Sequence, residues 1–190
     1  MCKRLALVIS ALGSFATFGV QAEETEQTPV DFYVSGQAVW TQVKSSGEEF
    51  SPSLFQLKAN VEFNYLKIAG IGLQGMVGLP MSGDNANGMD LEITQQSGIY
   101  VTFTDPNTQP DDLKVSILLG HASTEIETYL PSLGDAATNN DTYSGFSYGF
   151  SLQDQIVEGE PFYWTLDLIR YYKDSDLRVD GLGLGVTYAF

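Results

Sequence analysis

From residue 31 onward the chain contains eight successive stretches in which apolar residues alternate with small or polar ones, and no long run with helical spacing. A period of two places successive side chains on opposite faces of a strand, so the pattern restricts the chain to an all-β fold. In "LFQLKANVEFNY", residues 54–65, Leu57, Ala59, Val61, Phe63 and Tyr65 share one face, and Gln56, Lys58, Asn60, Glu62 and Asn64 the other. "FYVSGQAVWTQV" sets Phe32, Val34, Ala38 and Trp40 against Tyr33, Ser35, Gln37 and Thr41. "LEITQQSGIYVTF" sets Leu91, Ile93, Ile99, Val101 and Phe103 against Glu92, Thr94, Gln96, Tyr100 and Thr102, with Gln95 and Ser97 interrupting the apolar face. "KIAGIGLQGMVGL", "LKVSILLGH", "YSGFSYGFSL", "FYWTLDLIRYY" and the terminal "GLGLGVTYAF" repeat the rule, separated by Gly, Pro, Asn and Asp-rich turns such as "PMSGDNANGMD".

The faces opposite the apolar ones decide between environments. A soluble sandwich would show many Lys and Glu there. This chain shows mostly Gly, Ser, Thr, Asn and Gln, with a few charges: Lys58, Glu62, Glu92, Lys114 and Asp167. Such residues fit a confined interior. In a bilayer every backbone donor and acceptor must pair within the protein, so a spanning sheet has to close. Eight strands enclose a bore just wide enough for side chains to fill. Aromatic residues sit near the ends of the apolar faces: Phe32, Trp40, Phe63, Tyr65, Phe103, Phe162 and Trp164. The eight steps from Phe32 to Trp40 span about 20 Å on a tilted strand, close to the ~25 Å apolar band of membrane barrels. The pattern predicts an eight-stranded antiparallel transmembrane up-and-down β-barrel over residues 31–190. Its last strand closes against "FYVSGQAVW".

The first 22 residues read as a cleaved signal peptide: Lys3 and Arg4, an apolar run from Leu5 to Val20, then Val20-Gln21-Ala22. A short segment, 23–30, precedes the barrel. The mature chain has no cysteine, so its stability must come from the fold itself. Two of the nine basic residues leave with the signal peptide, so seven stand against 24 acidic ones, a net charge of −17. That balance argues against nucleic acid as a partner.

The signal peptide, the eight alternating segments and the terminal strand resemble the small porin-like outer-membrane β-barrel family of Gram-negative bacteria. In that family the last strand ends in Phe with apolar residues at alternate positions before it, matched here by Leu182, Leu184, Val186, Tyr188 and Phe190. The resemblance implies that the barrel-assembly machinery reads this strand during insertion. It also implies a bacterial outer-membrane location with both termini in the periplasm, and contact with outer-membrane lipid and lipopolysaccharide. Loops near 44–53, 80–90, 122–142 and 173–177 then face outward, many of them acidic, and reversals near 66–67, 105–111 and 154–160 face the periplasm. The oligomeric state is open, with a monomer expected.

Lys58 and Glu62 share one inward face about 13 Å apart, too far for a direct pair. They are expected to meet charges from other strands, among Asp167, Glu92 and Lys114, in a network that plugs the bore. The single histidine, His121, shares parity with Ser123 and Glu125 on the lipid-facing side. A His-x-Ser pair there resembles the lipid A deacylases, in which His is the base and Ser the nucleophile. Thr124 follows Ser123 where that family has Asn. The expected role is therefore non-enzymatic: surface structure, adhesion or envelope integrity. A deacylase-like enzyme and a narrow pore are the alternatives. "SGDNANG" has Ala86 where a calcium loop needs an acidic ligand, and no zinc, phosphate-loop or dinucleotide signature occurs, so no metal or cofactor is expected.

Overall fold

The computed structural model describes residues 30–45, 47–63, 70–105, 112–131 and 138–190. The signal peptide, residues 23–29 and Tyr65 lie outside them. The described residues form ten antiparallel strands: β1 (Val30–Ser45), β2 (Glu48–Phe50), β3 (Ser53–Phe63), β4 (Gly70–Ser82), β5 (Asp84–Ala86), β6 (Met89–Thr104), β7 (Lys114–Tyr129), β8 (Thr138–Gln155), β9 (Phe162–Lys173) and β10 (Leu177–Ala189). Each long strand pairs with its sequence neighbour, and β10 returns to pair with β1 from Tyr33↔Ala189 to Ser45↔Leu177. The sheet is therefore a closed barrel of eight long strands, with β2 and β5 as short hairpin arms at one end. Phe190 completes the seam by donating its N–H to the Phe32 carbonyl at 3.0 Å.

Hairpins occupy the end of the barrel opposite Val30 and Phe190, called the loop end below. The strands reach further into them than the alternation suggests. Residues 122–129 and 138–142, expected as loop, continue β7 and β8 as a paired hairpin. Alternation persists there as Ala122, Thr124 and Ile126 inward against Ser123 and Glu125 outward, but both faces are largely polar, which hides the strand from a hydrophobic reading. The expected 80–90 loop is also a hairpin. Asn87 and Gly88 both have positive φ, 52° and 79°, between paired Ala86 and Met89, the primed turn that suits a two-residue connection. Pro52 has no N–H to donate, and the ladder breaks between β2 and β3 there; its carbonyl accepts from Thr41 instead.

Three bulges interrupt the ladders toward the loop end, leaving Met81, Thr94 and Tyr171 as extra residues. An extra residue shifts the parity of everything beyond it. In β6 this overturns one expectation. Below Thr94, Gln96, Tyr100 and Thr102 point inward and Ile99 and Val101 outward, as the alternation predicts. Beyond it, Leu91 and Ile93 turn into the bore and Glu92 turns out to solvent. Glu92 is therefore not a lumen charge.

The outer wall carries the apolar faces. Phe32, Trp40, Phe63 and Phe162 are 40–53% exposed. Phe103 and Trp164 are partly covered and sit in register with the outward Ile117 and Val186. Leu182, Leu184, Val186, Tyr188 and Phe190 all face outward, and the rings of Phe162, Tyr188 and Phe190 stack edge to face near the terminal end.

Candidate functional site

The bore is divided along its axis. Its terminal half is polar and crossed by two ion pairs. Lys58 on β3 reaches Asp167 on β9, with Nζ 2.5 Å from Oδ2, and Lys114 on β7 pairs with Glu62 on β3. In each case the partners stand on strands three places apart, so both pairs span the bore instead of joining neighbours. Glu62 and Lys58 thus find partners among those expected. Their other valences are met as well. Ser151 Oγ donates to Asp167 Oδ1 at 2.6 Å, and Lys114 lies 4.5 Å over the Tyr33 ring while donating to its hydroxyl. A desolvated charge needs this degree of saturation to persist.

A row of amides follows. Gln37 donates to Gln56 at 2.8 Å, Gln56 to Gln96 at 2.5 Å and to the Tyr171 hydroxyl at 2.9 Å, and Gln96 to Thr124. Toward the loop end the bore becomes apolar. Val39, Val43, Phe50, Leu54, Ile93 and Val179 are at most 1% exposed and pack with Leu91, Ile126, Ile169 and Leu177. The alternating pattern did not mark this cluster, because Val39 and Val43 share parity with Gln37 and Thr41. Their signal was the presence of apolar residues on both faces over 39–43.

Between the ion pairs lies a cavity of about 20 Å³ lined by Lys58, Asn60, Gln74, Thr102, Lys114 and Gln153, among others. Asn60 Oδ1, Gln74 Nε2, Thr102 Oγ1 and Gln153 Nε2 are buried without a protein partner. No group of three His, Cys, Asp or Glu suited to a metal ion occurs among the described residues.

His121, Ser123 and Glu125 do share the outward face of β7, which continues past them to Tyr129. Two strand steps separate His121 from Ser123, about 7 Å. Ser123 Oγ accepts from Ser144 Oγ at 2.9 Å, and Glu125 accepts from Asn140 Nδ2 at 2.8 Å.

The outer wall near the loop end also carries charge. Arg170 Nε and Arg178 Nε lie 2.7 and 2.8 Å from the two oxygens of Asp180, and Lys44 Nζ lies 2.7 Å from Glu49. The hydrogen bond from Lys44 holds the Glu49 carboxyl below its ordinary range. At the β9–β10 turn, Asp174 accepts the N–H groups of Leu177 and Asp176 and the Tyr172 hydroxyl at 2.7–2.8 Å. Those donors hold its carboxyl below the usual range too, the Leu177 N–H most of all.

No protein-family model matches the chain, and no curated protein matches it. Solved structures do. The attachment invasion locus protein Ail of Yersinia pestis is similar with a TM-score of 0.61 at 16% identity, covering 86% of this chain and all of Ail. Ail in complex with the heparin analogue sucrose octasulfate gives 0.60 at 17% identity over the same shares. A major outer membrane protein of Thermus thermophilus gives 0.50 at 13% identity, covering 84% of this chain and 99% of that one. At these identities the likeness establishes the architecture: this chain has the fold of the small eight-stranded outer-membrane β-barrels.

Proposed function

We propose that the protein is an integral outer-membrane barrel, closed to conduction, that presents acidic hairpins outside the cell in a structural, adhesive or envelope-integrity role. The observation that carries this is the inversion of the ordinary polarity rule. Below the loop end the outer wall is apolar all round while the bore there holds the ion pairs and amides, which suits lipid outside the sheet. The apolar cluster at the loop end and the two crossing ion pairs leave the bore only a cavity of about 20 Å³, which favours a closed barrel over the narrow pore.

The barrel-assembly reading rests on Phe190 and the alternate apolar residues before it. The adhesive reading draws on Ail's name, attachment invasion locus protein, and on the β7–β8 hairpin. Glu48, Glu49, Asp84, Asp90, Glu127, Asp141, Asp174 and Asp176 crowd the loop end. That charge suits a cationic partner better than a polysulfated sugar like the one bound to Ail. The test is cell fractionation with gel mobility before and after boiling, then planar-bilayer recording. An outer-membrane, heat-modifiable band without steady conductance is expected. Soluble periplasmic material would sink the membrane reading, and stepwise conductance would sink the closed bore.

A further inference from the structure

The turn that joins β5 to β6 holds the one Asn-Gly step in the sequence. Asn87 and Gly88 form its tip, both exposed and both at positive φ. Asn87 also acts as a latch. Its Nδ2 donates to Glu48 Oε2 at 2.5 Å, on the neighbouring β1–β2 arm. Beside it, the Ser51 N–H donates to Asp84 Oδ2 at 2.6 Å. β2 and β5 share no ladder, so these two bonds tie the arms where strand pairing does not. Phe50 and Leu91, on the tied arms, are buried in the apolar cluster.

An asparagine followed by glycine is open to attack by its own backbone. The Gly88 nitrogen gives up its proton and bonds to Asn87 Cγ, the Cγ–Nδ2 bond breaks, and the nitrogen leaves as ammonia with that proton. The five-membered imide so formed takes up one water and opens to aspartate or, at its other carbonyl, to isoaspartate. Glycine permits the approach because it has no Cβ, and its surroundings are open: a Cβ on Gly88 would meet nothing within 4 Å. One contact holds the reaction back. Cγ must swing onto the Gly88 nitrogen, and Glu48 pins the amide that carries it.

We propose that Asn87 is a site of spontaneous deamidation, and that its conversion releases the β5–β6 arm from the β1–β2 arm. The product inverts the latch. A carboxylate at position 87 has no proton to donate to Glu48 and faces it as a like charge. No Lys or Arg lies between Lys67 and Lys114 to offset it, while Asp84 and Asp90 stand on the same hairpin. Isoaspartate also adds a backbone carbon to a two-residue loop whose length sets the strand register. The step consumes only water, runs one way and adds a negative charge, so the arms part with the age of the molecule. It is independent of the membrane reading, since it needs only the folded loop end.

The folded mature chain, held in mildly alkaline buffer, tests it by peptide mapping that separates asparagine, aspartate and isoaspartate. Asn87 should convert while Asn85, which shares the hairpin but precedes Ala86, keeps its amide. Glu48→Ala frees the Asn87 amide and should speed its conversion at least about three-fold. The consequence is read at the Ser51 amide by hydrogen exchange. Asn87→Asp should quicken that exchange at least about three-fold, and Asn87→Asp with Glu48→Gln, which returns a donor and an acceptor to the pair, should slow it again. Asn87 converting no faster than Asn85, a rate unchanged in Glu48→Ala, or Ser51 exchange unmoved by Asn87→Asp overturns the proposal. So does a double variant that exchanges as fast as the single one, which would place the effect in the turn and not in the latch. If Asn87→Asp fails to fold, the converted wild-type fraction, separated by its extra charge, gives the same exchange reading.

Discussion

Lys58 and Asp167 meet across the bore from strands three places apart, and the seam between β1 and β10 runs between them. Both side chains are almost completely buried, at 4% and 1% exposure. Removing one partner strands the other. Lys58→Met should therefore destabilise the folded barrel by about 3–5 kcal/mol, while Lys58→Met with Asp167→Leu should recover most of that loss. Urea titration followed by the heat-modifiable gel band measures both, and a double variant no better than the single would refute the account.

The bulge at Thr94 makes a claim about neighbours. Glu92 should be accessible and Ile93 should not, although the two are adjacent. With Cys2, the sequence's single cysteine, replaced by Ser, Glu92→Cys on intact cells should react with a membrane-impermeant maleimide and Ile93→Cys should stay unlabelled. Labelling of Ile93→Cys alone would restore the uninterrupted alternation.

Close packing at the seam separates two glycines. A Cβ on Gly185 would lie 2.2 Å from the Gly36 carbonyl oxygen and 2.4 Å from the Gln37 Cβ. A Cβ on Gly75 would meet nothing within 4 Å. Gly185→Ala should cost about 1–3 kcal/mol through overpacking, and Gly75→Ala should stay within about 0.5 kcal/mol of wild type. Matching denaturation midpoints for the two variants would contradict the close approach of β10 to β1.

Asp174 gives a pH dependence. Its folded pKa is depressed, so its bonds to the turn contribute above the unfolded carboxylate value and are lost as pH falls through the folded one. A carbon-13 titration of the Asp174 carboxyl should show a midpoint below about 3.9. A midpoint at or above that value would remove the turn-capping role.

For His121, the expected outcome is an unchanged lipid A acyl pattern by mass spectrometry when His121→Ala replaces the wild type. Loss of a deacylated species in the variant would instead make His121 and Ser123 a catalytic pair.

Much of the barrel was legible because membrane and bore impose opposite demands on alternate residues. Phe32, Phe63 and Leu184 could face only one way. Lys58, Glu62, Lys114 and Asp167 were legible for the same reason, though which charge met which was set by the geometry of closure. What escaped the sequence depends on partners. A bulge such as Thr94 is defined by the strand opposite it, so Leu91 and Ile93 read as wall when they are core. Outside the apolar band the outer face no longer needs apolar residues, so residues 122–129 lost their contrast and read as loop.

The crossing of the seam by Lys58 and Asp167 bears on time as well as on stability. Sliding β10 away from β1 would have to break the backbone ladder, the Ser35–Thr187 hydroxyl pair at 2.7 Å and this ion pair in one event. A ladder alone can open from one end, bond by bond. A ladder bolted from inside by charges that have no water to escape into cannot, so the barrel should come apart as a unit and slowly, with the amides of its first and last strands exchanging no faster than those of the middle.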